Sequence, residues 1–195
     1  MIKHLCLIGT GLIGGSLALA LKAQSDSLRI TGCGRNAEHL QRAIELGVID
    51  DFNTDPAQAV KGCDVVVLAV PMGAMRSLLE QIKPALDDAT IITDVGSAKN
   101  SLLNAAQTVF GELPATLVPG HPIAGNENSG VEAAMVDLYQ GRRVILTPHA
   151  STAPEALKVI EEMWLACGAE VKHMAVSYTH LRAHETGRHI SYAVC

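Results

Sequence analysis

His121 and Ser97 are the residues of this chain best placed to do chemistry. His121 sits in Pro119-Gly-His-Pro-Ile-Ala-Gly-Asn-Glu-Asn-Ser-Gly130, a stretch rich in Gly, Pro and Asn. An imidazole between Gly and Pro is off any regular helix face, which favours a functional loop position over the ordinary alternative of a core histidine. Neutral near pH 7, it can take a proton or a hydrogen bond from a hydroxyl whose carbon is losing hydride. Ser97 sits in Asp94-Val-Gly-Ser-Ala-Lys99. Its hydroxyl has two readings: a cap for the helix that follows, or a hydrogen-bonding group for a substrate hydroxyl or a nicotinamide.

Hydride needs an acceptor, and the beginning of the chain has the pattern that holds one. Gly9, Thr10, Gly11, Leu12, Ile13 and Gly14 make a G-x-G-x-x-G run, entered from the apolar Leu5-Cys-Leu-Ile8 and left through the Ala/Leu-rich Ser16-Leu-Ala-Leu-Ala-Leu21. Strand, glycine turn and helix in that order form the dinucleotide fingerprint, with the pyrophosphate expected on the positive end of the helix. About twenty residues further on, where NAD-binding domains carry an acid for the ribose 2′-hydroxyl, stands Gly32-Cys-Gly-Arg35-Asn36. No carboxylate is there to repel a 2′-phosphate, and Arg35 can grip one, so NADP is favoured over NAD. The plain alternative is a solvated loop arginine. Val70 and Pro71 follow an apolar strand and are expected to line the same cofactor at the carboxyl edge of the sheet.

Stepping of apolar runs and helical patterns sets how these residues are placed. Strands are expected near residues 3–8, 28–33, 65–70, 90–93, 116–118 and 144–146, and a last one at 170–173 ends the sheet. Helices are expected near 12–23, 37–46, 73–82, 99–110 and 154–167, with Gly47 and Gly168 as C-terminal stops. This βαβ rhythm predicts one α/β domain over residues 1–175, doubly wound and Rossmann-type on a mostly parallel sheet.

Composition narrows the class. The chain has 195 residues, 48% of them hydrophobic, and a formal charge of −5 with both signs interspersed. That argues against nucleic acid as a partner. No segment is long and apolar enough for a bilayer, and Met1-Ile-Lys-His lacks a secretory layout, so a soluble cytoplasmic protein is expected. The five cysteines show no C-x-x-C spacing and read as reduced core residues, with no metal site.

Taken together, Gly9–Ser16, Asp94-Val-Gly-Ser-Ala-Lys99 and His121-Pro-Ile-Ala-Gly125 match, in order and spacing, three signature stretches. The chain resembles the nucleotide-binding domain of the prephenate/arogenate dehydrogenase family of tyrosine biosynthesis. The resemblance implies an oxidative decarboxylation in which hydride leaves C4 of a cyclohexadienyl ring for the nicotinamide and carbon dioxide departs. It gives His121 the C4 hydroxyl and its proton, Ser97 the orientation of both, and Glu127 a place near the substrate mouth. Family members continue into a helical domain that supplies an arginine for a substrate carboxylate and forms a homodimer. That domain is expected to be missing here, leaving a fragment expected to be monomeric, uncovered on one side and marginally soluble. Other dehydrogenases of the 3-hydroxyacid or imine-reducing group, and a non-catalytic NADP-binding module, stay open as alternatives.

Beyond Ala175 the periodicity stops. The peptide from Val176 to Cys195 resembles a translated transposase-type sequencing adapter and is expected to be a non-native or disordered tail. Its rival reading is a metal-binding tail, from His180 and His184 at i, i+4.

Overall fold

The computed structural model describes residues 2–174, so the readings of residues 176–195 lie outside the described residues. In chain order the elements of the first part are β1 (His4–Ile8), α1 (Leu12–Lys22), β2 (Arg29–Cys33), α2 (Ala37–Glu45), β3 (Asp51–Asn53) and α3 (Pro56–Ala59). They continue with β4 (Val65–Leu68), α4 (Met75–Ile82), β5 (Ile91–Asp94), α5 (Lys99–Phe110) and β6 (Leu117–Val118). The last part holds β7 (Gly120–Pro122), β8 (Arg143–Leu146), α6 (Pro154–Ala166) and β9 (Glu170–His173).

Strands β1 to β6 form one parallel sheet in the order β3-β2-β1-β4-β5-β6. The order reverses between β1 and β4, the switch point at which open α/β sheets bind ligands. Side-chain alternation along β1 sorts the core into two layers. Leu5 and Leu7 point to the face covered by Leu17 of α1, Leu40 of α2 and Trp164 of α6. Cys6 and Ile8 point to the other face, against Ala59 of α3, Leu79 of α4 and Leu102 of α5. Helices on both faces make the sheet doubly wound, as the periodicity predicts. Gly47 and Gly168 take positive φ (70° and 78°) just past α2 and α6, as helix stops do.

The structure departs from the sequence reading in three places. A short strand and a one-turn helix, β3 and α3, fill residues 51–59, where no element is expected; Asp55 caps α3 and Pro56 starts it. Residues 144–146 and 170–173 do not extend the main sheet: β8 and β9 pair in parallel with each other, and β8 pairs antiparallel with β7. The reason lies at Pro119, which has no N–H to carry the ladder beyond the two residues of β6. Its carbonyl instead accepts from Thr147 N–H at 2.9 Å, turning the chain into a second three-stranded sheet. His121, finally, is the middle residue of β7 opposite Ile145 rather than a loop residue.

Candidate active site

The fingerprint glycines sit where the switch point needs them. Gly9 has φ +102°, and a Cβ there would lie 2.2 Å from the Ala69 carbonyl oxygen and 3.3 Å from Val70 Cγ1. The Gly9 turn is therefore pressed against the end of β4, while Gly9 N–H donates to the Cys33 carbonyl at 2.9 Å. Gly14 lies under the turn, and a Cβ on it would meet the Gly9 carbonyl at 2.2 Å. Gly11 faces open space, with no heavy atom within 4 Å of an added Cβ.

Gly11 is also the N-cap of α1, which has no side-chain cap and no acidic residue in its first turn. The N–H groups of Leu12, Ile13 and Gly14 begin the helix and find no carbonyl four residues back within it. Unpaired donors, the positive end of the helix dipole and an open approach at Gly11 fit the pyrophosphate of a dinucleotide. Thr10 belongs to the same turn, and Leu12 is buried in the core beneath it.

The remaining cofactor-side residues differ in what they can offer. Arg35 is exposed just past the end of β2. The Asn36 side-chain oxygen is already engaged as the cap of α2, accepting from Glu38 N–H at 2.8 Å and His39 N–H at 3.2 Å. Its amide NH2 alone can turn towards a ligand. Val70 is partly buried and Pro71 exposed, beside the Gly9 turn.

On the neighbouring strand ends, β5 and α5 hold a buried ion pair. Lys99 Nζ donates to both Asp94 carboxylate oxygens at 2.6 Å, with side chains 2% and 0% exposed. Asp94 also accepts from Gly96 N–H at 3.0 Å and Gly120 N–H at 3.1 Å. Lys99 Nζ reaches the Gly120 carbonyl at 2.6 Å. Burial pushes the Asp94 carboxyl up and the Lys99 ammonium down, each against the attraction of the other. Nothing in the sequence marks Lys99 as buried, since a lysine opening a helix ordinarily reads as a solvated residue. The available signal is the acid five residues earlier, at the end of the strand that begins Ile91-Ile92.

His121 follows Gly120 directly. Its ring is mostly enclosed, and Nδ1 is buried with no hydrogen-bond partner. Burial first, then the Lys99 charge, lowers its pKa to about 4, against a smaller opposing effect of the Val95 backbone. The imidazole is therefore neutral at pH 7, the state a proton acceptor needs.

Ser97 does not cap α5. The helix begins at Lys99 with Ala98 at the N-cap and no side-chain cap bond, which leaves Ser97 one residue too early and exposed in the β5–α5 turn. Glu127 is exposed on the segment after β7 and is held by none of the contacts that fix Asp94, Lys99 and His121. That segment returns over α1: Met135 N–H donates to Ser16 Oγ at 2.9 Å, and Tyr139 OH donates to the Ile13 carbonyl at 2.6 Å. Three large apolar residues here, Ile123, Met135 and Val136, are exposed. Among the described residues no cluster of three or more His, Cys, Asp or Glu side chains could hold a metal ion, and no helix could cross a membrane.

An uncapped helix at the switch point, with an enclosed neutral imidazole two strands away, defines the class: a nucleotide-binding Rossmann domain of the dehydrogenase type. Residues 17–173 match the family "Prephenate dehydrogenase, nucleotide-binding domain". The chain belongs to that family. It is 36% identical over 177 residues to the cyclohexadienyl dehydrogenase of Zymomonas mobilis, covering 90% of this chain and 59% of that protein. It is likewise 36% identical over 172 residues to the prephenate dehydrogenase of Bacillus subtilis, covering 87% of this chain and 46% of the relative. Among solved structures, the Aquifex aeolicus prephenate dehydrogenase in complex with hydroxyphenyl propionate and NAD+ superposes with a TM-score of 0.84 at 31% identity. That match covers 92% of this chain and 62% of the other. The chain thus spans about half to three fifths of the length of its relatives.

Proposed function

We propose that residues 1–175 are the cofactor-binding part of an NADP-dependent prephenate or arogenate dehydrogenase of tyrosine biosynthesis. The observation that carries this reading is His121: a neutral, desolvated imidazole, positioned by β7 beside the sheet edge where the dinucleotide turn lies. When bound, the nicotinamide supplies the hydride acceptor. His121 accepts a hydrogen bond from the C4 hydroxyl and takes its proton as the C4–H bond breaks. Cleavage of the ring–carboxylate bond then leaves its electron pair in the aromatic ring, and the proton returns from His121 to the phenolate oxygen, so protons balance. Ser97, exposed in the adjoining turn, orients the hydroxyl, and Glu127 borders the substrate mouth. The Gly9–Gly14 turn holds the pyrophosphate, with Val70 and Pro71 against the cofactor.

Arg35 supports NADP over NAD, because a guanidinium in Gly32–Asn36, a stretch that itself carries no acid, favours a 2′-phosphate. Four free, buried cysteines, Cys6, Cys33, Cys63 and Cys167, support a reducing, cytoplasmic setting.

Calorimetric titration of the chain with NADP+ and NAD+ tests the cofactor assignment. NADP+ binds roughly tenfold tighter, and Arg35→Ala removes that preference, an energy of about 1.4 kcal/mol. Equal affinity for both would overturn it. Fused to a complete helical domain, the protein turns over prephenate or arogenate, and His121→Asn lowers kcat by about 10²–10⁴. Dinucleotide binding with no turnover of either compound refutes the dehydrogenase reading in favour of a non-catalytic module.

A further inference from the structure

Strand β7 pairs Gly120, His121 and Pro122 with Leu146, Ile145 and Val144 of β8. It has three residues, and Pro119 and Pro122 remove a backbone donor on each side of the Gly120–His121 pair. The Gly120 N–H points not at β8 but at Asp94 Oδ1, 3.1 Å away. The β7–β8 pairing is flanked by two further bonds, Thr147 N–H to the Pro119 carbonyl at 2.9 Å and Ile123 N–H to the Arg143 carbonyl at 2.8 Å. On the side of Gly120 turned away from β8, the peptide groups before and after it are held by one buried pair. Asp94 takes the N–H of the first, and Lys99 Nζ donates to the carbonyl of the second at 2.6 Å. That second carbonyl belongs to the peptide plane that includes the His121 nitrogen.

We propose that Asp94 and Lys99 are a positioning pair for His121: by gripping both backbone groups of Gly120 they fix the direction in which the imidazole is presented. The proposal rests on the reading of His121 as the proton acceptor. Stability alone does not call for such a pair, because taking two charges out of water costs several kcal/mol per ion and apolar side chains of similar volume are commonly as stable. Gly120 itself is packed for the task, since an added Cβ would lie 3.0 Å from the Asp94 carbonyl oxygen. The charged group that bears on the ring is Lys99, itself paired with Asp94. With the ammonium facing Gly120, the Lys99 charge adds to burial in keeping the ring neutral.

Imidazole nuclear magnetic resonance on the 195-residue chain tests this without any need for turnover or cofactor, with His121→Asn to assign the signal. In the unaltered chain the His121 midpoint lies near 4, and the Gly120 amide exchanges with solvent as slowly as core amides. Lys99→Met raises the midpoint by one unit or more, a tenfold gain in proton affinity. Gly120→Ala keeps both charges and lifts the backbone off Asp94, so the midpoint moves towards 6.5 and the ring signals shift. A pair that merely staples the β5–α5 turn lowers the melting temperature in Lys99→Met but leaves the His121 midpoint within 0.3 units. That result, or fast exchange of the Gly120 amide in the unaltered chain, overturns the proposal. Should the chain and its fused form prove inactive while the midpoints shift as stated, the dehydrogenase reading fails and the positioning pair stands.

Discussion

The enclosure of His121 makes stability depend on pH with a determined sign. In the unfolded chain its imidazole titrates near 6.5; in the native protein, burial and the Lys99 charge hold it at about 4. As pH falls below 6.5 the unfolded state takes up a proton that the native state refuses, so stability declines, and the decline ends below about 4, where both states are protonated. A 2.5-unit difference corresponds to about 3 kcal/mol at 1.36 kcal/mol per unit, and the ring's residual exposure brings the expectation to about 2 to 3. His149, also lowered mainly by burial, titrates in the same direction, so the contribution of His121 has to be isolated by difference. The perturbation is His121→Asn, which keeps a polar side chain and removes the titration. The chain's single tryptophan, Trp164, is fully buried against Tyr139 and reports unfolding by fluorescence. Urea melts between pH 7.5 and 4.5 are expected to show the unaltered chain losing about 2 kcal/mol more than His121→Asn. Parallel stability curves would refute the reasoning, because they would mean that the imidazole titrates normally and is not enclosed.

Two further substitutions separate binding from folding in the glycine turn. Gly9→Ala puts a Cβ 2.2 Å from the Ala69 carbonyl at a φ of +102°, so it destabilises the fold by several kcal/mol, read as a lost or strongly lowered melting transition. Gly11→Ala meets no atom within 4 Å, so the melt changes by less than about 1 kcal/mol while dinucleotide affinity falls at least tenfold in calorimetry. Tyr139→Phe keeps the edge-on packing with Trp164, with ring centroids 5.0 Å apart, and removes only the hydroxyl bonded to the Ile13 carbonyl. It costs about 1 kcal/mol, a drop of about 2–4 °C in Tm; an unchanged Tm would mean that this hydroxyl does not help hold the returning segment to α1.

Legibility in the sequence followed the range of the forces involved. The glycine turn, α1 and the alternating cores could be read because each depends on neighbours a few residues apart: a turn needing positive φ at Gly9, apolar residues repeating along β1. The second sheet could not, since β7, β8 and β9 join residues 120, 146 and 173 through pairings that no local period announces. β3 and α3 were hidden for a different reason. Three partly buried residues and a single helical turn are too short for periodicity to register. Ser97 shows how fine the limit is: a serine two residues before a helix reads like a cap, yet the first helical residue is Lys99 and the cap position falls to Ala98.

Lys99 is the case in which local rules point the wrong way. Side-chain entropy and hydration favour leaving a lysine in solvent, and the first turn of a helix, at the positive end of its dipole, is an unfavourable place for a cation. The fold overrides both preferences because Asp94, ending a buried strand, itself requires a counter-charge, and the Gly120 carbonyl arrives from β7 as a further acceptor. The β5–α5 turn and β7, more than twenty residues apart, thus satisfy one another at a single buried point. The histidine beside it is kept neutral first by the burial of its own ring and then by the Lys99 charge. An imidazole between Gly and Pro is legible as a residue type in the sequence, whereas the buried contacts beside it, made across residues 94, 99 and 120, are not.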